Sequence, residues 1–89
     1  MPHSSIRRVL IVDDEPLALD YMERLLGALD DIVIVARCRS GREALAELQK
    51  QAVDLMFLDI QMPGFNGLDV VKRCQSDVMP AVVFATAYD

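Results

Sequence analysis

The sequence predicts an α/β fold with a mainly parallel sheet, because two kinds of segment alternate along its 89 residues. Short, continuous apolar runs, typical of strands that are buried on both faces, are followed by stretches in which apolar residues recur with helical spacing. The predicted strands are residues 8–12, 32–36, 53–58 and 80–85. Since a helix separates each strand from the next, right-handed crossovers should make the strands parallel. The predicted element order is β-α-β-α-β-α-β.

Each predicted helix begins at a recognisable signal. Pro16 suits the first turn of the first helix, where its missing N–H costs nothing. The second helix opens at Ser40, and Glu43 three residues later completes the pattern of a capping box. Asn66 can cap the third helix, after a turn at Pro63 and Gly64. The apolar stripe that we expect to face the core consists of Leu17, Ala18, Tyr21, Met22, Leu25, Leu26 and Leu29 in the first helix and of Ala44, Leu45 and Leu48 in the second. The third helix carries the apolar residues Leu68, Val70, Val71 and Cys74.

Composition and charge exclude several classes of function. With 9 basic and 14 acidic residues, the net charge is −5, so this segment is not expected to bind nucleic acid. No apolar run approaches the ~18 residues of a membrane span, and the N-terminus lacks the order of a signal peptide, so we expect a cytoplasmic protein without a membrane anchor. His3 is the only histidine, and Cys38 and Cys74 form no CxxC motif. Neither a zinc site nor histidine-based catalysis is therefore expected.

Acidic residues follow two of the predicted strands at their carboxyl ends. Asp13 and Asp14 come directly after the first strand, and Asp59 follows the third. In a flavodoxin-like sheet of strand order 2-1-3-4, strands 1 and 3 flank the point where ligands bind. Three carboxylates in one small volume need a cation to offset their repulsion, and an all-oxygen site suits Mg²⁺. A carboxylate beside Mg²⁺ can in turn accept a phosphoryl group.

Each of these residues also has a plainer interpretation. Asp13 and Asp14 could cap the first helix, and Asp59 could be a turn residue that ends the third strand. Capping explains neither the acidic doublet nor its partner at the end of another strand. We therefore favour a shared metal site.

Three stretches of the sequence resemble the receiver domain of two-component response regulators. They are residues 9–16 (VLIVDDEP), 58–64 (LDIQMPG) and 85–89 (ATAYD). Within these stretches, the sequences DDEPLA, LDIQMP and TAYD are similar to those of receivers that are joined to LytTR-type DNA-binding domains. Proteins of that kind are transcription regulators. A complete receiver of this CheY-like fold also has a fourth helix, a fifth strand and a fifth helix. The resemblance therefore identifies residues 1–89 as an incomplete receiver domain.

The resemblance implies a role for each residue of the acidic site. Asp59 would be the phosphoacceptor, which takes its phosphoryl group from a sensor histidine kinase. Mg²⁺ would be held by Asp13, Asp14, Asp59 and the backbone carbonyl of Gln61. Thr86 would supply a hydroxyl that turns toward the phosphoryl group on activation; its alternative interpretation is an ordinary β-branched strand residue. No lysine matches the position at which the family places one beside the phosphoryl group.

Two other functions compete with this one. A phosphatase of the haloacid-dehalogenase type would need a second aspartate two residues after the nucleophile, where this chain has Gln61. A receiver-like interaction module without phosphorylation is favoured by the missing lysine and opposed by the intact acidic site. We expect a phosphoacceptor domain rather than an enzyme, with at most weak self-phosphotransfer from small phosphodonors.

The last predicted strand would form an apolar edge of the sheet. Its residues 81–85 read AVVFA, and an unpaired apolar edge invites pairing with another chain. We therefore expect a homo-oligomer that forms through the fourth strand.

Overall fold

The computed structural model describes residues 6–74 and 79–85, so Thr86 lies outside the described residues. It contains the strands β1 (Arg7–Val12), β2 (Ile32–Cys38), β3 (Leu55–Leu58) and β4 (Ala81–Phe84) and the helices α1 (Pro16–Gly27), α2 (Gly41–Lys50) and α3 (Gly67–Arg73). None of these helices has the length and apolar character that a bilayer span requires. The strands form one parallel sheet in the order β2-β1-β3-β4. The predicted element order and strand order are confirmed.

The sheet separates two apolar clusters, and β1 contributes to both. Its last four residues are fully buried, and they alternate between the two faces of the sheet. Leu10 and Val12 pack with residues of β3, α2 and α3, whereas Val9 and Ile11 pack on the other face with Leu19 and Leu26 of α1. Burial on both faces explains why the last four residues of this strand are all apolar.

The predicted core-facing side of α1 is only partly correct. Leu26 is buried and Ala18 and Met22 are half-buried, as expected, but the fully buried Leu19 lies outside the predicted set. Four residues of the first predicted helix that were expected to face the core are exposed instead: Leu17 (80%), Tyr21 (61%), Leu25 (54%) and Leu29 (49%). The helix packs against β1 and β2, so the remaining part of its apolar stripe faces an open groove of about 390 Å³ beside Phe57 of β3.

The helices begin at the predicted caps, with one difference at α2. The Asn66 side chain accepts the Asp69 N–H at 3.0 Å and the Asp69 carboxylate accepts the Asn66 N–H at 3.0 Å, which is a complete capping box. At α2, Ser40 Oγ accepts the Glu43 N–H at 3.1 Å, but the Glu43 carboxylate accepts the N–H of Arg39, at 2.9 Å, rather than that of Ser40. The returning hydrogen bond therefore fixes the backbone of the residue before the cap.

In the described part of the chain, β4 pairs on one side only. Its single neighbour is β3, with Phe57 opposite Val83 and Leu58 opposite Phe84. Val83 and Phe84 are 42% and 41% exposed. The strand thus presents apolar side chains at a border of the sheet, as the sequence predicted.

Candidate functional site

The parallel pairing of β1 with β3 brings acidic residues together at the carboxyl end of the sheet. Val12 lies opposite Leu58, so the residues that follow them, Asp13 and Asp59, are neighbours. Each of Asp13, Asp14 and Asp59 has a carboxylate oxygen within 4.8 Å of the others. Asp13 and Asp59 are only 8% and 9% exposed, and Asp14 is half-buried. The structure therefore assembles the three aspartates that the sequence singled out.

Backbone hydrogen bonds continue the strand pairing past the last residues of β1 and β3. The Asp13 N–H donates to the Cys38 carbonyl at 3.0 Å, and the Asp59 N–H donates to the Val12 carbonyl at 3.1 Å. The two buried carboxylates are thus attached to the most deeply buried strands of the fold. Their backbone positions are therefore set by the pairing of the sheet.

Each buried carboxylate also closes a short turn with its own chain. Asp13 Oδ1 accepts the Glu15 N–H at 3.0 Å, and Asp59 Oδ1 accepts the Gln61 N–H at 3.0 Å. Such turns are common for aspartate, whose side chain can replace a backbone carbonyl. The second turn keeps Gln61 directly beside Asp59, at the same edge of the sheet.

The cluster is electrostatically unfavourable on its own. Burial raises the pKa of Asp13, the Glu15 N–H lowers it in part, and the negative charges of Asp59, Asp14 and Glu15 raise it further. A divalent cation bound among the three carboxylates would remove this repulsion. The donor set consists of oxygen atoms alone, which hard cations such as Mg²⁺ prefer over softer metals. The residues present therefore fit a hard divalent cation.

The connection from β3 to α3 passes unusually close to Asp59, at a residue that the sequence analysis missed. A Cβ atom on Gly67 would lie 2.6 Å from the Asp59 carbonyl oxygen and 3.0 Å from Ile60 Cα. The Gly67 N–H donates to the Ile60 carbonyl at 3.1 Å. Gly64 of the same connection has φ +75°, a conformation that favours glycine. A glycine as the first residue after a helix cap is the sequence signal for such a close approach.

A second missed feature is a pocket of about 520 Å³ that adjoins the acidic cluster through Asp14. Arg39 lies on its wall, and its guanidinium Nη2 donates to the Asp14 carbonyl at 3.4 Å. The remaining lining residues are Ser40, Arg42, Met62, Pro63, Gly64 and Phe65. The concentration of arginines between residues 37 and 42 is the signal in the sequence, but spacing alone does not show which of them reaches the site.

The fold and the site together define a class of protein. A parallel α/β sheet of order 2-1-3-4, with an acidic cluster beyond its two central strands, is the architecture of receiver domains. A family model of the response regulator receiver domain matches residues 9–89. The chain belongs to this family. It is the receiver domain of a two-component response regulator, and such a domain is a phosphoacceptor rather than an enzyme in the ordinary sense.

Relatives with known names agree with this assignment. The chain is 46% identical over 82 residues to the transcriptional regulatory protein BtsR of Salmonella typhi, covering 92% of this chain and 34% of that protein. It is 47% identical over 83 residues to the positive alginate biosynthesis regulatory protein of Pseudomonas aeruginosa, covering 91% of this chain and 34% of that protein. The chain thus spans about a third of the length of these relatives.

Solved structures confirm the fold. The response regulatory domain of mrkE from Klebsiella pneumoniae has a TM-score of 0.81 at 34% identity, covering 91% of this chain and 67% of that one. The response regulator domain of Thermotoga maritima CheB has a TM-score of 0.82 at 26% identity, covering 91% of this chain and 60% of that one. The predicted family and fold are therefore confirmed, whereas the roles of the individual site residues stay predictions.

Proposed function

We propose that this chain accepts a phosphoryl group on Asp59 while Mg²⁺ is held by Asp13, Asp14, Asp59 and the backbone carbonyl of Gln61. The observation that carries this proposal is the meeting of three carboxylates, within 4.8 Å of one another, at the ends of β1 and β3. When bound, Mg²⁺ would offset the repulsion between the acidic cluster and an incoming phosphate. Thr86 completes the proposed site, since its hydroxyl would turn toward the phosphoryl group once Asp59 is phosphorylated.

The hydrogen bonding of Asp59 favours one oxygen as the nucleophile. Oδ1 accepts the Gln61 N–H, which lowers its nucleophilicity, so Oδ2 is the more reactive oxygen toward phosphorus. In the transfer from a phosphohistidine, the Asp59 O–P bond forms, the P–N bond breaks, and the electron pair stays on the imidazole nitrogen. Asp59 is 9% exposed, so a donor can approach it only from the open end of the sheet. This restricted approach favours the in-line geometry that phosphoryl transfer requires.

The test is intact-mass measurement after incubation with acetyl phosphate and Mg²⁺. The wild-type chain should gain one phosphoryl group and Asp59→Asn should gain none, because the amide is not a nucleophile. Asp30→Asn, which changes an exposed carboxylate between α1 and β2, is the matched control and should be labelled like the wild type. Equal labelling of Asp59→Asn and the wild type would refute the assignment of Asp59.

We also propose the setting in which this domain works. The phosphodonor would be a sensor histidine kinase, and the parent protein would be a cytoplasmic transcription regulator with a LytTR-type DNA-binding domain. Two relatives named as regulatory proteins, one of them transcriptional, support this setting. Leu17, 80% exposed at the start of α1 and three residues after Asp14 in the sequence, offers an apolar contact for the kinase. The segment itself, with its net charge of −5, would not contact DNA.

A homo-oligomer through β4 is a separate proposal. In the described residues β4 pairs on one side only and exposes Val83 and Phe84, so the same strand of a second copy could extend the sheet across a two-fold axis. Val83→Lys should shift the sedimentation coefficient from that of a dimer toward that of a monomer, since a charged edge opposes strand pairing. Val33→Lys, at a residue of β2 on the opposite border that is also 42% exposed, should leave the dimer intact. A well-folded wild-type monomer at high protein concentration would refute the proposal.

A further inference from the structure

We propose that Arg39 binds the departing carboxylate of an acyl phosphate, and so makes this domain react faster with acyl phosphates than with phosphodonors that release a neutral group. The inference rests on the proposed function, because it concerns the group that leaves phosphorus when Asp59 attacks. It assigns a chemical class of small-molecule substrate to the pocket beside the acidic cluster.

The pocket and the cluster are continuous. Asp14 belongs to both: one of its carboxylate oxygens lies within 4.8 Å of oxygens of Asp13 and Asp59, and the residue also lines the pocket of about 520 Å³. A phosphoryl group in line with Asp59 would therefore place its leaving group toward the open end of the sheet, next to this space. A two-carbon acyl group is small enough to enter it.

Arg39 is held at this point by its backbone while its side chain stays accessible. Its N–H donates to the Glu43 carboxylate at 2.9 Å, which ties the residue to the first turn of α2. Its guanidinium Nη2 reaches the Asp14 carbonyl at 3.4 Å, so the charge lies at the boundary between the pocket and the cluster. The residue is exposed, and an anion can approach its remaining N–H groups.

The neighbouring arginines are already engaged. Arg37 donates to Asp20 and Glu23, at 2.8 Å each. The guanidinium of Arg42 lies 5.3 Å from the centre of the Phe65 ring, as does that of Arg73. Arg39, by contrast, forms no ion pair with any residue in ranges 6–74 and 79–85. It is therefore the arginine of this group that can bind an anionic ligand without losing a carboxylate partner or an aromatic contact.

The chemistry of the leaving group explains why this charge would matter. With acetyl phosphate, the Asp59 O–P bond forms, the bond between phosphorus and the acetate oxygen breaks, and the electron pair leaves on acetate. Negative charge thus develops on the leaving oxygen, where a guanidinium can form charge-assisted hydrogen bonds. With phosphoramidate, the P–N bond breaks and the pair leaves on nitrogen as neutral ammonia, which gains nothing from a nearby arginine. The effect of Arg39 should therefore depend on the donor.

The experiment compares labelling rates of the whole chain by acetyl phosphate and by phosphoramidate, with saturating Mg²⁺, and uses their ratio as the readout. Arg39→Ala should lower this ratio about tenfold, as expected for the loss of a hydrogen bond to a charged group. Arg39→Lys should recover part of it, because lysine supplies the charge without the planar fork. Arg24→Ala, in the last turn of α1 and remote from the pocket, should leave the ratio unchanged.

The outcomes separate this inference from the proposal on which it rests. An unchanged ratio in Arg39→Ala would overturn the inference. If both rates fell equally, so that the ratio stayed the same, Arg39 would support the acidic site in general and would not act on the leaving group. Neither result would affect the assignment of Asp59. Failure of both donors to label the wild-type chain would overturn the proposed function, and the inference with it.

Discussion

Replacing Gly67 with alanine is expected to destabilise the fold by about 2–3 kcal/mol, because the added methyl group has nowhere to go. Its Cβ would lie 2.6 Å from the Asp59 carbonyl oxygen and 3.1 Å from the Asp59 carbonyl carbon. These are backbone atoms of a residue that is hydrogen-bonded to β1, so they cannot turn aside as a flexible side chain would. The clash must push the start of α3 away from β3, and it must also displace the backbone of Asp59. We therefore also expect weaker binding of divalent cations.

Urea denaturation and a Mg²⁺ titration of the folded variant would measure these two effects. Gly27→Ala is the matched control, since a Cβ at Gly27 meets nothing within 4 Å. This residue ends α1, and alanine there should stabilise the chain by about 0.5–1 kcal/mol through its higher helix propensity. If Gly67→Ala were as stable as the wild type, α3 would not lie against Asp59 as described.

Asp13→Asn should have opposite effects on stability with and without Mg²⁺. Without the metal, the amide removes a buried charge from a cluster of three carboxylates, so the free energy of unfolding should rise by about 1 kcal/mol at neutral pH. The hydrogen bond from the Glu15 N–H can persist, because the asparagine side chain keeps a carbonyl oxygen. With Mg²⁺ at ten times its Kd, the wild type should gain about 1.4 kcal/mol, and the variant should lose most of this gain.

The stability difference between the wild type and Asp13→Asn should also depend on pH, with a defined sign. The pKa of Asp13 is raised in the folded state, mainly by burial, so the folded chain holds this proton to higher pH than the unfolded chain does. This contribution to stability is full below the ordinary carboxyl pKa and is lost as the pH rises through the raised value. In metal-free buffer, the stability difference between the wild type and Asp13→Asn should therefore widen from acidic to neutral pH.

Thermal denaturation across this pH range, with and without Mg²⁺, would check both expectations. Asp30→Asn, which changes an exposed carboxylate, serves as the control and should show neither the metal-free gain nor the loss of Mg²⁺ stabilisation. A metal-free Asp13→Asn variant less stable than the wild type would show that the carboxylate is favourable where it stands. The interpretation of the cluster as an electrostatic liability would then be wrong.

The sheet and its acidic site could be predicted because each depends on a local pattern with a single consequence. An apolar run that ends in aspartate places that carboxylate at the end of a buried strand, and the right-handed crossover rule makes the strands parallel. With strands 1 and 3 adjacent, and in the register that sets Val12 opposite Leu58, Asp13 and Asp59 must meet. The adjacency and the register had to be assumed, and the structure has both.

Features that depend on the distance between separate segments could not be predicted in this way. Helical periodicity found the apolar stripe of α1 but not its buried centre, so Leu19 was missed while the exposed Leu17 was included. That centre depends on which strands the helix covers. The close approach of Gly67 to Asp59 and the position of Arg39 beside Asp14 likewise follow from how loops cross the end of the sheet. The spacing of residues in the sequence does not determine either.

The burial of β1 on both faces limits how its sequence can vary. A polar replacement at any of its last four positions would bury an unpaired group, since the strand has no solvent-facing side. A one-residue insertion between Arg8 and Val9 that left the start of the strand in place would move Leu10 and Val12 to the face of α1 and would carry Asp13 away from Asp59. The length of this strand therefore couples the packing of the core to the geometry of the acidic site.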